Sequence, residues 1–92
     1  MKLSVYSIKQ ILFEGIVEKV TLRTPQGQIT ILDNHLPLVT LVQAGAIYYY
    51  TSDGARQEIA FSGGVGEVRP GSNLVLLAQE EFSGGNNRPL AQ

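Results

Sequence analysis

Cysteine is absent from the chain, which excludes a disulfide framework and any thiolate metal site and leaves the fold indifferent to the redox state of its compartment. Charge is scarce as well: only 16% of residues are charged, seven basic against eight acidic, for a formal net charge of −1. Lys2, Lys9, Lys19, Arg23, Arg56, Arg69 and Arg88 are scattered along the sequence, so there is no clustered basic footprint for a nucleic acid. No run approaches the ~20 apolar residues that cross a bilayer. The opening Met1-Lys2-Leu3-Ser4-Val5-Tyr6-Ser7 also lacks the long apolar stretch of a signal peptide. These absences predict an intracellular, soluble chain that does not itself insert into a membrane.

The 92 residues, 43% of them apolar, are enough for one domain that buries about two-thirds of the surface its unfolded chain exposes. Apolar residues recur at every second position in short stretches, with Gly, Pro, Asn and Asp between them, which is the pattern of strands and turns. The stretches 2–8, 10–13, 17–24, 28–32, 46–52, 56–61, 65–69 and 73–78 read as strands. Residues 38–42 read as either a strand or a helical turn. Glu14-Gly15 and Pro25-Gln26-Gly27 carry turn chemistry. Asp53-Gly54 predicts a tight hairpin that pairs the strands on either side of it. Pro70-Gly71 fits the centre of a type II turn, where Pro fixes one φ and Gly supplies the other. The expectation is an all-β fold, a flattened antiparallel β-sandwich of about nine to ten strands. Residues 1–82 form the domain, and 83–92 have the composition of a flexible tail.

Groups able to do chemistry are sparse. The single histidine, His35, sits in a loop with Asp33 and no adjacent serine, so a catalytic triad would need Ser62 or Ser72 from far along the chain. His35 with Asp33 is also too small a set for zinc. Gly63-Gly64-Val65-Gly66 fails as a dinucleotide fingerprint because a strand follows it, and reads instead as a corner where strands approach closely. Glu80 and Glu81, as neighbours on a strand, would face opposite sides. Tyr48-Tyr49-Tyr50 leaves two readings open. If Ile47 and Tyr49 face inward, Tyr48 and Tyr50 stand together outside, either as partner anchors or as a cover for the Arg56 and Glu58 stems on the same sheet. Leu36, Pro37 and Leu38 pose the same choice between interface and local core.

Three stretches, taken together, resemble the amino-terminal domain of the ATP synthase epsilon subunit, whose mitochondrial counterpart is called delta: Leu12-Phe13-Glu14-Gly15, then residues 27–38 with the sequence GQITILDNHLPL, then Ser62-Gly63-Gly64-Val65-Gly66-Glu67-Val68. The similarity runs from about Lys2 to Ala78. It implies a non-catalytic rotor subunit of the central stalk, with two partners and no cofactor or small-molecule ligand. One partner is the gamma subunit, which forms the shaft; the other is the ring of membrane c subunits, and the two are coupled during ion-driven ATP synthesis. By the same matching, Gly27, Gln28, Asp33 and Asn34 face the c-ring, while Ser7, His35, Thr40, Ser62 and Glu67 face gamma. The implied location is the cytoplasmic face of a bacterial plasma membrane, held peripherally through the complex.

Departures from the pattern carry expectations of their own. Gln28 stands where the family often has a glutamate, so it can hydrogen-bond but cannot form an ion pair. Asp33-Asn34 replaces the usual Pro-Gly, and Asn34 can keep the left-handed conformation that the turn needs. The family usually continues into two helices that inhibit ATP hydrolysis, and the sequence after Glu81 shows no helical period, so that inhibition is expected to be lacking. The alternative from another class is a free-standing ligand-binding sandwich, such as a carbohydrate binder stacking sugars on Tyr48 and Tyr50.

Overall fold

The structure is a computed structural model, and it describes residues 1–79. The expectations for Glu80, Glu81 and the 83–92 tail lie outside the described residues. Nine strands follow one another: β1 Lys2–Tyr6, β2 Ile11–Ile16, β3 Lys19–Thr24, β4 Gly27–Leu32, β5 Leu38–Val42, β6 Gly45–Tyr50, β7 Arg56–Phe61, β8 Gly64–Arg69 and β9 Asn73–Ala78. They form two sheets, a five-stranded one in the order β2-β1-β9-β8-β5 and a four-stranded one in the order β4-β3-β6-β7. All neighbouring pairs are antiparallel except β1 with β9, which run parallel. Among the described residues there is no helix, so residues 38–42 resolve as a strand.

Alternation places the core between the sheets. Leu74, Leu76 and Ala78 of β9 are buried against Val20 and Leu22 of β3, Ile31 of β4 and Ile47 of β6, with Leu3 and Val5 of β1 completing the layer. A single sheet could not cover this apolar face, and stacking two of them can. Across the layer the rings of Phe13 on β2 and Tyr49 on β6 meet at 4.6 Å between centroids, so Tyr49 faces inward as its parity requires.

Two turns differ from expectation. Glu14-Gly15 does not turn but runs inside β2, paired with Ser4 and Leu3. The break falls earlier, at Ser7–Gln10, where the Ser7 N–H donates to the Gln10 carbonyl at 2.8 Å. Gly15 is small for a packing reason: a Cβ there would lie 3.0 Å from the Phe13 ring, which folds over it. The hairpin at Asp53-Gly54 is wider than a two-residue turn, since Thr51 N–H still donates to Ala55 O at 3.0 Å and leaves a three-residue tip. Gly54 sits there at φ 88°, in a region L side chains avoid.

Candidate docking surfaces

The register assigns every side chain of the five-stranded sheet to an inner or an outer row. Inner rows such as Val5, Leu76 and Gly66 end in the core. The outer rows are where the molecule departs from an ordinary soluble sandwich. Tyr6, Leu77, Val65 and Leu41 stand side by side across β1, β9, β8 and β5, and the last three are 49%, 40% and 61% exposed. The next row carries Ser4, Val75, Glu67 and Val39, with Val39 also exposed. Ile11, Leu12 and Ile16 of β2 extend the exposed apolar surface to the sheet edge. A strand that is covered on one face alternates apolar with polar; β5 (LVTLV) and β9 (NLVLLA) are apolar at both parities, the pattern of strands covered on both faces. That was the signal in the sequence for this surface, and the motif-by-motif reading missed it.

The two ends of the sandwich differ. One end gathers the β1–β2, β3–β4, β5–β6 and β7–β8 connections; the other gathers Met1, the β2–β3 and β4–β5 connections and the turns after β6 and β8. The four residues matched to the c-ring divide between them. Gly27 and Gln28 begin β4 at the first end, whereas Asp33 and Asn34 follow it at the second. From Gln28 to Asp33 is about 17 Å of extended chain.

At the second end the polar groups satisfy one another. Asn34, at φ 63°, and Ser72, at φ 60°, are joined twice, by Asn34 N–H to Ser72 Oγ at 3.3 Å and Ser72 Oγ to Asn34 Oδ1 at 3.1 Å. The Ser72 hydroxyl first, and next the amino-terminal charge, 3.8 Å from Asp33 Oδ1, hold the Asp33 carboxyl below the ordinary carboxylate range. His35 Nδ1 donates to the Leu36 carbonyl at 2.7 Å. Asp53 is likewise held low, by the Thr51 hydroxyl first and the Ala55 N–H second.

The residues matched to gamma are spread along the whole sandwich. Ser7 is 7% exposed, and its hydroxyl ties the first corner by accepting from the N–H groups of Lys9 at 3.3 Å and Gln10 at 3.2 Å. Ser62 lies exposed in the β7–β8 connection, at the same end of the sandwich as that corner. Glu67 is in the outer apolar field beside Val39 and Val75, where Arg69 Nε donates to it at 3.1 Å. Thr40 belongs to an inner row opposite Gly66, its methyl 3.9 Å from where a Gly66 Cβ would be. His35 is at the far end.

On the four-stranded sheet, Tyr48 and Tyr50 do stand on the outer face, but their rings are occupied. Arg56 lies over Tyr48 and Lys19 over Tyr50, each 4.6 Å from the ring centroid. A sugar stacking there would first have to displace two cations. Beside them Thr21 and Thr30 pair their hydroxyls at 3.0 Å across β3 and β4. Among the described residues no cluster of three or more His, Asp or Glu could hold a metal ion.

Residues 1–82 match the family of the beta-sandwich domain of the ATP synthase delta/epsilon chain. Two solved structures share the fold. One is a chain of the Euglena gracilis mitochondrial ATP synthase OSCP/F1/c-ring assembly in rotational state 1, at 20% identity and TM-score 0.78, with 85% of this chain and 49% of that one covered. The other is a chain of the Tetrahymena thermophila mitochondrial ATP synthase central stalk and c-ring, at 13% identity and TM-score 0.68, with 100% and 80% covered. The chain thus spans about half the length of the Euglena subunit it resembles.

Proposed function

This chain belongs to the ATP synthase delta/epsilon chain family through its beta-sandwich domain, and on that premise we propose that it is a non-catalytic stalk subunit that seats a gamma-type shaft on a membrane c-ring. The observation that carries the reading is the doubled apolar pattern of the five-stranded sheet. Its inner face already closes the core, yet Leu41, Val39, Val65 and Leu77 remain exposed on the outer one. A contiguous apolar patch of this kind on a small domain marks a contact surface. Glu67 lies inside the patch and Ser62 at its margin, which supports gamma as the occupant of this face.

The end that carries Gly27 and Gln28 then meets the ring, and Asp33 and Asn34, at the far end of β4, go with His35 on the shaft side. The subunit is held to the membrane peripherally, through the complex, on the cytoplasmic face in a bacterial cell. Torque passes through the domain because a close-packed β-sandwich yields little under strain. Such a clamp requires an interface of at least standard size, roughly 1,200 to 2,000 Å² in total.

The test is a double substitution, Leu41→Asp with Val65→Asp, on the exposed sides of β5 and β8. The domain should stay folded, because neither side chain reaches the core, and recovery of gamma and the catalytic subunits in affinity purification from the host should fall at least tenfold. Wild-type recovery by the double variant would refute the assignment of this face.

A further inference from the structure

We propose that β5 is an open sheet edge to which a second copy of this chain adds its own β5, antiparallel, so that two five-stranded sheets join into one of ten strands. The inference stands apart from the stalk reading and does not depend on it.

An unguarded edge strand is a template for another strand, and sandwiches block it with charges, bulges or proline. Among the other edges, β2 shifts register against β1 at Val5/Tyr6 and carries Glu14. β7 carries Arg56 and Glu58, and β4 alternates Gln28 and Thr30 with its apolar residues. β5 has none of these devices. Its sequence LVTLV holds no charge, proline or glycine, and no Asp, Glu, Lys or Arg stands between Asp33 and Asp53.

The ladder fixes which backbone groups of β5 are free. Gln79 N–H donates to Gly63 O at 2.8 Å, so that carbonyl points to β9, and the Gly64 N–H on the opposite side of the same planar peptide points to β5. Gly64 pairs with Val42, and the groups alternate along a strand. Leu38, Thr40 and Val42 therefore turn their N–H and C=O groups to β8, whereas Val39 and Leu41 turn theirs away. Gln43 agrees with this parity, because its N–H leaves β8 to reach Arg23 O at 2.8 Å. Beyond that bond, no backbone partner lies along this side of β5 among the described residues. The Leu41 carbonyl accepts the Thr40 hydroxyl at 3.1 Å, and a carbonyl keeps a second lone pair.

The strand is nearly symmetric about Thr40, which selects a second copy as the occupant. A two-fold axis at Thr40 sets Val39 against Leu41 of the other copy and Leu41 against its Val39. Both pairs consist of residues whose backbone groups face outward, so four N–H to C=O bonds form at once. Thr40 meets Thr40 between them, a pairing that strands favour. Leu38 and Val42 oppose each other at the ends, so every Leu faces a Val and no charge is buried. The contact is isologous and closes on itself. One strand pair is smaller than a standard interface, so the dimer dissociates on dilution.

The experiment is sedimentation velocity of the full 92-residue chain from 5 to 500 µM, where wild type should pass from monomer to dimer. Val39 and Leu41 are 68% and 61% exposed, so substitutions there leave the core intact, which circular dichroism checks. Val39→Lys/Leu41→Lys sets lysine against lysine in both outward pairs and should raise the dissociation constant at least tenfold. Val39→Lys/Leu41→Glu changes the same positions but sets each lysine against a glutamate of the other copy, and should restore dimerisation to within threefold of wild type. Hydrogen exchange of the wild type needs no variant: the Val39 and Leu41 amides should exchange more slowly as concentration rises. Monomeric wild type at 500 µM, a dimer indifferent to the two lysines, a Lys/Glu variant as weak as the Lys/Lys one, or amide rates independent of concentration would each overturn the edge pairing. None of these readouts involves gamma, so the stalk assignment is tested separately.

Discussion

Gly64 on β8 is the position at which a single methyl group should do most damage. A Cβ built there lies 2.0 Å from the carbonyl oxygen of Leu77 and 2.9 Å from the backbone N of Gln79. Both are main-chain atoms of the neighbouring β9 region, so no rotamer change can relieve the overlap. The strands would have to separate by an ångström or more, which breaks the Gly64–Ala78 pairing and the bond from Gln79 N–H to Gly63 O. Overpacking costs about 1–3 kcal/mol where side chains can yield. A clash with fixed backbone that also opens a ladder belongs at or above the top of that range, at about 3–5 kcal/mol. Total stability for 92 residues is about 5–14 kcal/mol, so Gly64→Ala should lower Tm by roughly 12–40 °C or prevent folding at 37 °C. Gly66→Ala is the control two residues along. Its Cβ would meet Leu76 Cδ2 at 3.0 Å and Val42 Cγ2 at 3.1 Å, flexible tips that can move, for a cost of about 1–2 kcal/mol. Thermal unfolding followed by circular dichroism compares the three proteins. A Gly64→Ala domain melting within a few degrees of wild type, or above Gly66→Ala, would refute the close-approach argument.

Other perturbations test the remaining contacts. The carboxyls of Asp33 and Asp53 are both depressed below the ordinary 3.8, so what they add to stability is complete above that value and is lost as pH falls through their lower folded-state values. Tm should therefore be insensitive to these two groups from pH 7 down to about 4.5, and the double variant Asp33→Asn/Asp53→Asn should flatten the decline below pH 3.8; an unaltered acid limb would exclude the assignment. Arg56→Ala should cost no more than about 1 kcal/mol, the scale of an exposed cation–π contact, and a chemical-denaturation loss above 2 kcal/mol would mean that Arg56 has a structural role beyond Tyr48. Phe13→Ala, which opens the inter-sheet contact with Tyr49 and uncovers Gly15, should cost about 2–3 kcal/mol given that Phe13 is only partly buried; a change within 0.5 kcal/mol would show the ring contact to be incidental.

The fold was legible because strand alternation and turn chemistry act locally. Residues 38–42, 56–61 and 73–78 became strands with the expected bounds, each preceded closely by Gly, Pro, Asn or Asp. The turn at Pro70-Gly71 has Gly71 at φ 87°, as a type II turn requires. Glu14-Gly15 misled because glycine has two uses, and sequence does not separate them. Here the missing Cβ admits the Phe13 ring instead of a positive φ, and that depends on a side chain two residues away folding back along its own strand.

Resemblance named candidate contact residues, but not where the fold would place them. Matching residues one at a time grouped Gln28 with Asp33, since they are five apart in sequence, yet a strand carries its ends apart where a loop would bring them together. The same geometry explains why the outer face went unseen. Its members, Tyr6, Leu41, Val65 and Leu77, come from four strands, and only the register, with a parallel pairing of first strand to last, brings them into one row. Parallel pairing of chain ends is a long-range event that no local period encodes. What the sequence did hold was its trace, apolar residues at both parities of β5 and β9, an arrangement that leaves exposed apolar surface unless a second molecule covers it.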